Sequence, residues 1–134
     1  MALVRSVAFY IVFYAGSVFC VLAALIASWF GPGSLMRLCD FWSHFHRACV
    51  RYLLGIRVRV EGDLPESGAI VALRHESFFE AIDLPTLLRR PAVFAKMELM
   101  RIPVWGRLGA TYGLIGVERD QGARALRKMI SAAR

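Results

Sequence analysis

Residues 6–30 have the sequence SVAFYIVFYAGSVFCVLAALIASWF, and no charged residue occurs between Arg5 and Arg37. A helix needs about 20 apolar residues to cross the hydrocarbon core of a bilayer, so this stretch is long enough to span it with some tilt. Tyr10 near one end and Trp29 at the other suit the two membrane interfaces, where aromatic side chains are enriched. The stretch therefore predicts a membrane helix over about residues 6–30.

This apolar stretch has two alternative interpretations. A cleavable signal peptide is disfavoured, because the apolar run is longer than the usual core of such a peptide and no clear small-x-small cleavage site follows it. A helical hairpin that lies in one leaflet together with the next segment stays open as an alternative to a single span.

The next segment has the pattern of a basic amphipathic helix. Gly31-Pro32-Gly33 ends the first helix. Between residues 35 and 54, apolar residues then recur at steps of three and four, with arginines among them. Such a helix suits a membrane surface, and packing on a protein core explains the pattern equally well. His44 and His46 are interpreted as interfacial or packing residues. Residues 1–55 are therefore predicted to form a membrane anchor.

Charge and cysteine content indicate the placement of the chain. Hydrophobic residues make up 57% of it, and its formal net charge of +7 favours anionic partners such as phospholipid head groups. One arginine precedes the apolar stretch and five follow it closely, so the positive-inside rule places the chain after residue 36 in the cytoplasm. Three cysteines without paired spacing suit a reducing compartment. We therefore expect the cytoplasmic (inner) membrane.

Strand and helix patterns alternate in the second half of the chain. Residues 56–61 alternate apolar and charged side chains, as in a half-buried strand, and residues 69–73 form a continuous apolar run, as in a strand buried on both faces. The remaining predicted elements are strands at 92–95 and 114–117 and helices at about 78–89 and 121–134. This alternation indicates an α/β fold in which the membrane helix and the amphipathic helix are followed by a partial mixed or parallel sheet with helices.

His75 directly follows the run 69–73, at the position where active-site loops of α/β sheets lie. Glu80 comes five residues later, one turn into the next predicted helix, and can meet the imidazole if the loop folds back. The acid would fix the imidazole tautomer and stabilise the imidazolium formed when the ring takes a proton. On spacing alone a surface loop is the commoner explanation. The two residues are the candidate catalytic pair, and Asp83, one turn further on, is the backup for the acid.

Three blocks of sequence resemble the glycerolipid acyltransferase family. The segment RHESFFE at 74–80 is similar to the family's histidine-x4-acid motif, although most members have aspartate where this chain has Glu80. The stretch FAKMEL at 94–99, with Ile102-Pro103 and Gly106 after it, resembles a second block. GLIGVER at 113–119 resembles the block whose arginine faces the acceptor phosphate. The likeness covers roughly residues 56–134 and keeps the order and spacing of the blocks.

The resemblance implies an O-acyltransferase of the 1-acylglycerol-3-phosphate type, which makes phosphatidic acid in phospholipid biosynthesis. His75 would take the proton from the free hydroxyl of the lysophosphatidate-type acceptor, which attacks the thioester of acyl-CoA or acyl carrier protein, and Glu80 would orient His75. Neither a metal nor a cofactor is implied. Arg119 is the first candidate for binding the acceptor phosphate. Lys96 is the second, and a solvated surface lysine is its equal alternative.

The family's later block, of Phe-Pro-Glu-Gly-Thr-Arg type, has no counterpart before Arg134. Residues 56–134 are therefore expected to be the N-terminal part of the catalytic domain of a longer, truncated enzyme. The alternative function is an inactive fragment that acts only as a small basic membrane protein. Nucleic-acid binding is ranked last, because the arginines are spread out, no nucleic-acid motif occurs and the apolar stretch favours a membrane.

Overall fold

The computed structural model describes residues 1–66, 68–118 and 122–132. This part of the chain is mostly helical and contains a two-stranded parallel sheet. In chain order the elements are α1 (Ala2–Ala27), a 3₁₀ turn (Ser28–Phe30), α2 (Pro32–Cys49), a π-helical turn (Val50–Leu54), α3 (Phe78–Leu87), β1 (Phe94–Lys96), α4 (Met97–Met100), α5 (Trp105–Tyr112), β2 (Ile115–Val117) and α6 (Ala123–Ala132).

Helices α1 and α2 form an antiparallel hairpin, which confirms the two helices predicted for the first third of the chain. The turn lies at Gly31, whose φ of 97° is in the region that favours glycine. Pro32 then begins α2, at a position where a helix makes no use of a backbone N–H. At the opposite end the Arg5 guanidinium donates to the Leu53 carbonyl oxygen at 2.8 Å. The two helices therefore run along each other over nearly their whole length.

Aromatic side chains hold this hairpin together. Phe13 is buried and stacks near Trp42 and Phe45, with ring centroids 6.1 and 6.3 Å away. Gly16 leaves room for the Phe45 ring, and Trp42 Nε1 donates to Ser17 Oγ at 2.9 Å. Helix α1 thus packs one face on α2 and leaves most of its large apolar side chains exposed.

Helix α1 together with the 3₁₀ turn is, in the described part of the chain, the one helix long and apolar enough to cross a membrane. Its most apolar window has a mean hydropathy of 2.3, and only 11% of that window is buried by the rest of the chain. A contiguous exposed apolar surface of this kind marks a protein or membrane interaction site. It supports the predicted association with a membrane.

The other side of α2 carries α3 and α5. The Ser43 hydroxyl donates to the Ile82 carbonyl oxygen at 2.6 Å, and the Arg47 guanidinium pairs with Asp83. Helix α5 also lies against α2, and burial raises the pKa of Tyr112, its last residue, to about 12. Helix α2 therefore packs on protein along two sides, which accounts for its amphipathic pattern.

Strands β1 and β2 pair in parallel, with Phe94 opposite Ile115 and Lys96 opposite Val117. They confirm the strands predicted at 92–95 and 114–117, with bounds shifted by one or two residues. The helix predicted around 78–89 is present as α3, and the one predicted over 121–134 is present as α6, with residues 121, 133 and 134 outside the described part of the chain. The fold therefore agrees with the predicted α/β class insofar as it combines helices with a small parallel sheet. The predicted domain division at residue 55 stays a prediction.

The strands predicted at 56–61 and 69–73 are wrong. The described residues between 55 and 76 form neither helix nor strand, and most are exposed, with Ile70 at 98% of its full accessibility. β-branched residues favour a pleated, half-buried environment, but a strand also needs a neighbour that completes its backbone hydrogen bonds. Among the described residues β1 has β2 as its partner, and the sheet includes no third strand.

The segment that connects β1 to β2 packs closely at Gly106, a buried residue in the first turn of α5. A Cβ atom at this position would overlap the backbone carbonyl oxygen of Met100. Because a backbone atom cannot rotate away, we expect Gly106→Ala to destabilise the fold by about 3 kcal/mol, the upper range for overpacking. Thermal unfolding followed by circular dichroism in detergent micelles measures the change. Gly33→Ala is the matched control, since a Cβ there meets open space. Equal stability of the two variants would contradict the packing described.

Candidate functional site

The N-terminus of α3 is closed by a reciprocal capping box. Ser77 is the N-cap residue, and its Oγ accepts a hydrogen bond from the Phe79 backbone N–H at 3.1 Å. Glu80 Oε2 reaches back and accepts from the Ser77 backbone N–H at 2.9 Å and from the Ser77 hydroxyl at 3.0 Å. Two backbone donors that a helix start leaves unpaired are satisfied in this way. The sequence S-F-F-E therefore fixes where Glu80 sits.

His75 lies beside this capping box. Its Nδ1 is 3.7 Å from Glu80 Oε2, and the two side chains are 63% and 31% exposed. The distance suits an ion pair and is longer than a hydrogen bond, which would need about 3 Å. The structure therefore brings the predicted pair together, with the imidazole on the solvent side and its carboxylate neighbour engaged by Ser77. Catalytic hydrogen bonds in unliganded enzymes are often long and shorten when substrate binds.

The electrostatics of the pair favour an ionised acid. The pKa of Glu80 lies below its ordinary value, first because its own backbone N–H hydrogen bonds to the carboxylate, and further because of the hydrogen bonds from Ser77 and the charge of His75. At neutral pH the group is therefore a carboxylate. A carboxylate at this distance stabilises a proton on the imidazole, which is what a general base requires of its neighbour.

Asp83, the backup acid, is placed elsewhere. Its side chain is 1% exposed and forms a bidentate pair with Arg47, in which Nε donates to Oδ1 at 2.8 Å. It also accepts from the Thr86 hydroxyl at 2.9 Å. Residues 80 and 83 point about 60° apart around a helix of 3.6 residues per turn, and here the second one faces α2. The backup assignment is therefore wrong, and Glu80 is the acid that meets His75.

The two basic candidates are not joined to this pair. Lys96 ends β1 with an exposed side chain, and within the described residues no hydrogen bond or ion pair connects it to His75 or Glu80. Arg119 lies outside the described residues. The role of both in binding a phosphate stays a prediction.

The sequence reasoning missed the groups that hold α3 in place. In the sequence Arg47 is one of several arginines of the segment 35–54 and Ser43 belongs to no motif, yet both contact the helix that carries Glu80. The spacing of Phe79, Asp83 and Thr86 on one helical face was the available signal.

Two cavities lie away from the pair, within the described part of the chain. A groove of about 490 Å³ between α1 and α2 is lined mainly by apolar side chains and by Arg37. A second cavity of about 460 Å³ is lined by residues from 64–66 and by Leu87 and Arg89. Neither of these two is lined by His75, whose side chain is 63% exposed.

Comparisons with models of known protein families, with curated proteins and with solved structures find no match to this chain. The likeness to glycerolipid acyltransferases therefore rests on the residues of the three sequence blocks alone.

The capping box predicts how Glu80 titrates. Because its pKa is lowered on folding, its contribution to stability is present above the unfolded-state pKa and is lost as the pH falls through the lower folded-state pKa. Ser77→Ala removes one donor, so we expect the Glu80 pKa to rise and α3 to fray at its first turn. Carbon-detected NMR titration and amide exchange measure both effects. Thr111→Ala, which removes a hydroxyl that donates within α5 at 3.0 Å, is the control. An unchanged Glu80 pKa in Ser77→Ala would count against the capping geometry.

Proposed function

We propose that this chain carries the base of a membrane-associated O-acyltransferase that acts on a lysophosphatidate-type acceptor and yields phosphatidic acid. The observation that carries the proposal is the pairing of His75 with Glu80, 3.7 Å apart, at the start of a helix that docks on α2, the partner of the apolar helix α1. An amphiphilic acceptor resides in a bilayer, and a base attached to a membrane-associated helix meets it there. The three sequence blocks supply the choice of chemistry.

The proposed reaction uses the free face of the imidazole. With Nδ1 turned toward Glu80, Nε2 is the atom that takes the proton of the acceptor hydroxyl. The hydroxyl oxygen bonds to the thioester carbonyl carbon of acyl-CoA or acyl carrier protein, the carbon–sulfur bond breaks, and the leaving thiolate takes the proton from the imidazolium. Glu80 stays ionised throughout and stabilises the positive ring. Arg119 and Lys96 are the proposed partners of the acceptor phosphate.

The hairpin geometry favours one of the two membrane arrangements predicted from the sequence. With its 26 residues α1 is about 40 Å long. The middle of α1, at Phe13 and Ser17, lies beside Trp42 of α2. Helix α3 docks on α2 at Arg47, a little more than one turn after Trp42. An upright α1 would hold Arg47 and α3 near the bilayer midplane, where each charged residue costs about 3 kcal/mol. We therefore propose that the hairpin lies in one leaflet, on the cytoplasmic side of the inner membrane.

A second candidate function is a small basic membrane protein without catalysis. The exposure of His75 and the location of both cavities away from it favour this alternative. Acyl transfer by the 134-residue chain separates the two candidates.

The central test is His75→Gln in the chain reconstituted in lipid vesicles. Because a general base contributes about 10²- to 10⁴-fold to rate, we expect transfer of a radiolabelled acyl group to lysophosphatidate to fall by that factor. Binding to vesicles and circular dichroism are expected to stay unchanged, since the imidazole is exposed and supports no packing.

His44→Gln is the matched control for this test. His44 is also exposed, lies on α2, and interacts with the Asp40 carbonyl oxygen 2.8 Å away. Its loss is expected to leave the rate within about twofold, as for surface positions without a catalytic partner. Full transfer by His75→Gln, or no transfer by the wild-type chain, would refute the proposed function.

The membrane arrangement has its own test. A tag before α1 and the exposed segment 56–66 should be reached by protease from the same side of sealed vesicles, because Arg5 and Leu53 lie at the same end of the hairpin. A thiol placed at the turn by Gly33→Cys should not react with an impermeant maleimide from the opposite side, and wild type gives the background of the native cysteines. Opposite sidedness of the two ends, or a turn that reacts from the far side, would contradict the one-leaflet hairpin.

A further inference from the structure

One face of α3 is fastened to α2 at three points. Phe79 packs its ring against His46, with ring centroids 5.2 Å apart. The Ile82 carbonyl oxygen accepts the Ser43 hydroxyl at 2.6 Å, and Asp83 forms its bidentate pair with Arg47. These three α3 positions flank Glu80 on the chain, so the contacts that fix α3 also fix the candidate acid.

The Arg47–Asp83 pair is the charged member of this attachment. The Asp83 side chain is 1% exposed, and its oxygens accept from both arms of the guanidinium, Nε at 2.8 Å and Nη2 at 2.5 Å. The fork geometry of arginine matches a carboxylate in a single orientation, which a lysine cannot reproduce. Removing the guanidinium would leave a buried carboxylate without its partner, a strongly unfavourable state. The pair therefore specifies both the position and the rotation of α3.

The surroundings of the pair connect the membrane helix to the candidate site. His46 contacts Phe9 and Phe13 of α1 on one side and Phe79 of α3 on the other, with its ring centroid 4.9 Å from that of Phe13. Burial lowers the pKa of His46, in keeping with a neutral ring packed between two helices. On the other flank of His75, the described residues of 55–76 are irregular and mostly exposed. The contacts between α3 and α2 therefore determine the position of His75 and Glu80 relative to α1.

We propose that Arg47 is a positioning residue that, through Asp83, holds α3 at a fixed place relative to α1 and α2. In this position the His75–Glu80 pair meets the hydroxyl of an acceptor anchored in the bilayer. The inference rests on the proposed function and adds a specific requirement to it. A lipid cannot leave the bilayer to follow a base that is displaced along the membrane normal, because its acyl chain would be exposed to water, whereas a water-soluble acceptor can. Loss of the pair therefore affects the two kinds of acceptor differently.

The test compares Arg47→Met, Arg47→Lys and the double variant Arg47→Met with Asp83→Asn, all in the complete chain in vesicles. The double variant removes both charges, so α3 is released without a buried carboxylate, and it keeps the experiment decisive if Arg47→Met alone does not fold. Arg51→Met is the matched control, because Arg51 is an exposed arginine one turn further along whose guanidinium lies near the Tyr52 ring.

The first readout is amide hydrogen exchange, which needs no activity. In the double variant we expect the amides of α3 to exchange at least tenfold faster, while those of α1 keep their wild-type protection and Arg51→Met leaves both unchanged. Unchanged exchange in α3 would overturn the inference, because the pair would then not hold the helix.

The second readout is acyl transfer to two acceptors, a long-chain lysophosphatidate embedded in the vesicles and a short-chain analogue below its aggregation concentration. We expect the ratio of the two rates to fall at least tenfold in Arg47→Met and in the double variant, to fall less in Arg47→Lys, and to stay at the wild-type value in Arg51→Met. An equal loss on both acceptors would overturn the positioning role, since a merely structural pair predicts it. Absence of transfer by the wild type to either acceptor would instead overturn the proposed function, and the exchange measurement would still show whether Arg47 holds α3.

Discussion

The packing of α1 on α2 is the constraint on which the rest of the structure depends. Phe13 and Gly16 on one helix and Trp42 and Phe45 on the other form this contact. It directs one side of α2 toward the apolar helix and leaves a different side, with Ser43 and Arg47, for α3. The apolar helix and the candidate site are thus attached to different sides of a single helix.

This arrangement gives Glu80 two roles that support each other. As the third residue of α3 it caps the helix through Ser77, and as the neighbour of His75 it supplies the negative charge that an imidazolium requires. Hydrogen bonds from its own backbone N–H and from Ser77 lower the pKa of Glu80, so the carboxylate is already ionised where the chemistry needs it. A helix cap and a charge partner are therefore provided by the same side chain, and the longer reach of glutamate compared with aspartate suits both.

The sequence predicted α1, α2, α3 and α6 because their signals are local, whereas α4 and α5 were not predicted. The continuous apolar run indicated α1, and the break at Gly31 with the hydrophobic periodicity after it indicated α2. The short apolar runs at β1 and β2 were found within two residues of their positions. The strands at 56–61 and 69–73 were predicted wrongly, because a strand depends on a partner that the local pattern does not contain. The spacing of His75 and Glu80 allowed the two side chains to meet, the structure places them 3.7 Å apart, and their catalytic role stays a prediction.

Asp83 shows where sequence reasoning about the site reached its limit. Its spacing from Glu80 made it a plausible substitute acid, but spacing gives only the angle of a residue around its helix. Which neighbour covers that angle is decided by tertiary packing, and here the neighbour is Arg47. The partner lies 36 residues earlier, in a segment whose apolar periodicity and arginines predicted a basic amphipathic helix. Buried ion pairs between distant segments leave no periodic signal.

The hydrogen bond from Arg5 to Leu53 has a consequence for synthesis, because it joins the start of the hairpin to its last turn. At about 5–20 residues per second, the ribosome needs on the order of seconds to add the residues between the end of α1 and that turn. During this interval the apolar helix has no protein surface on which to bury Phe13. We expect α1 to insert into a bilayer or to bind a targeting factor before α2 has been synthesised. The hairpin then closes only after α1 is already in contact with lipid or with that factor.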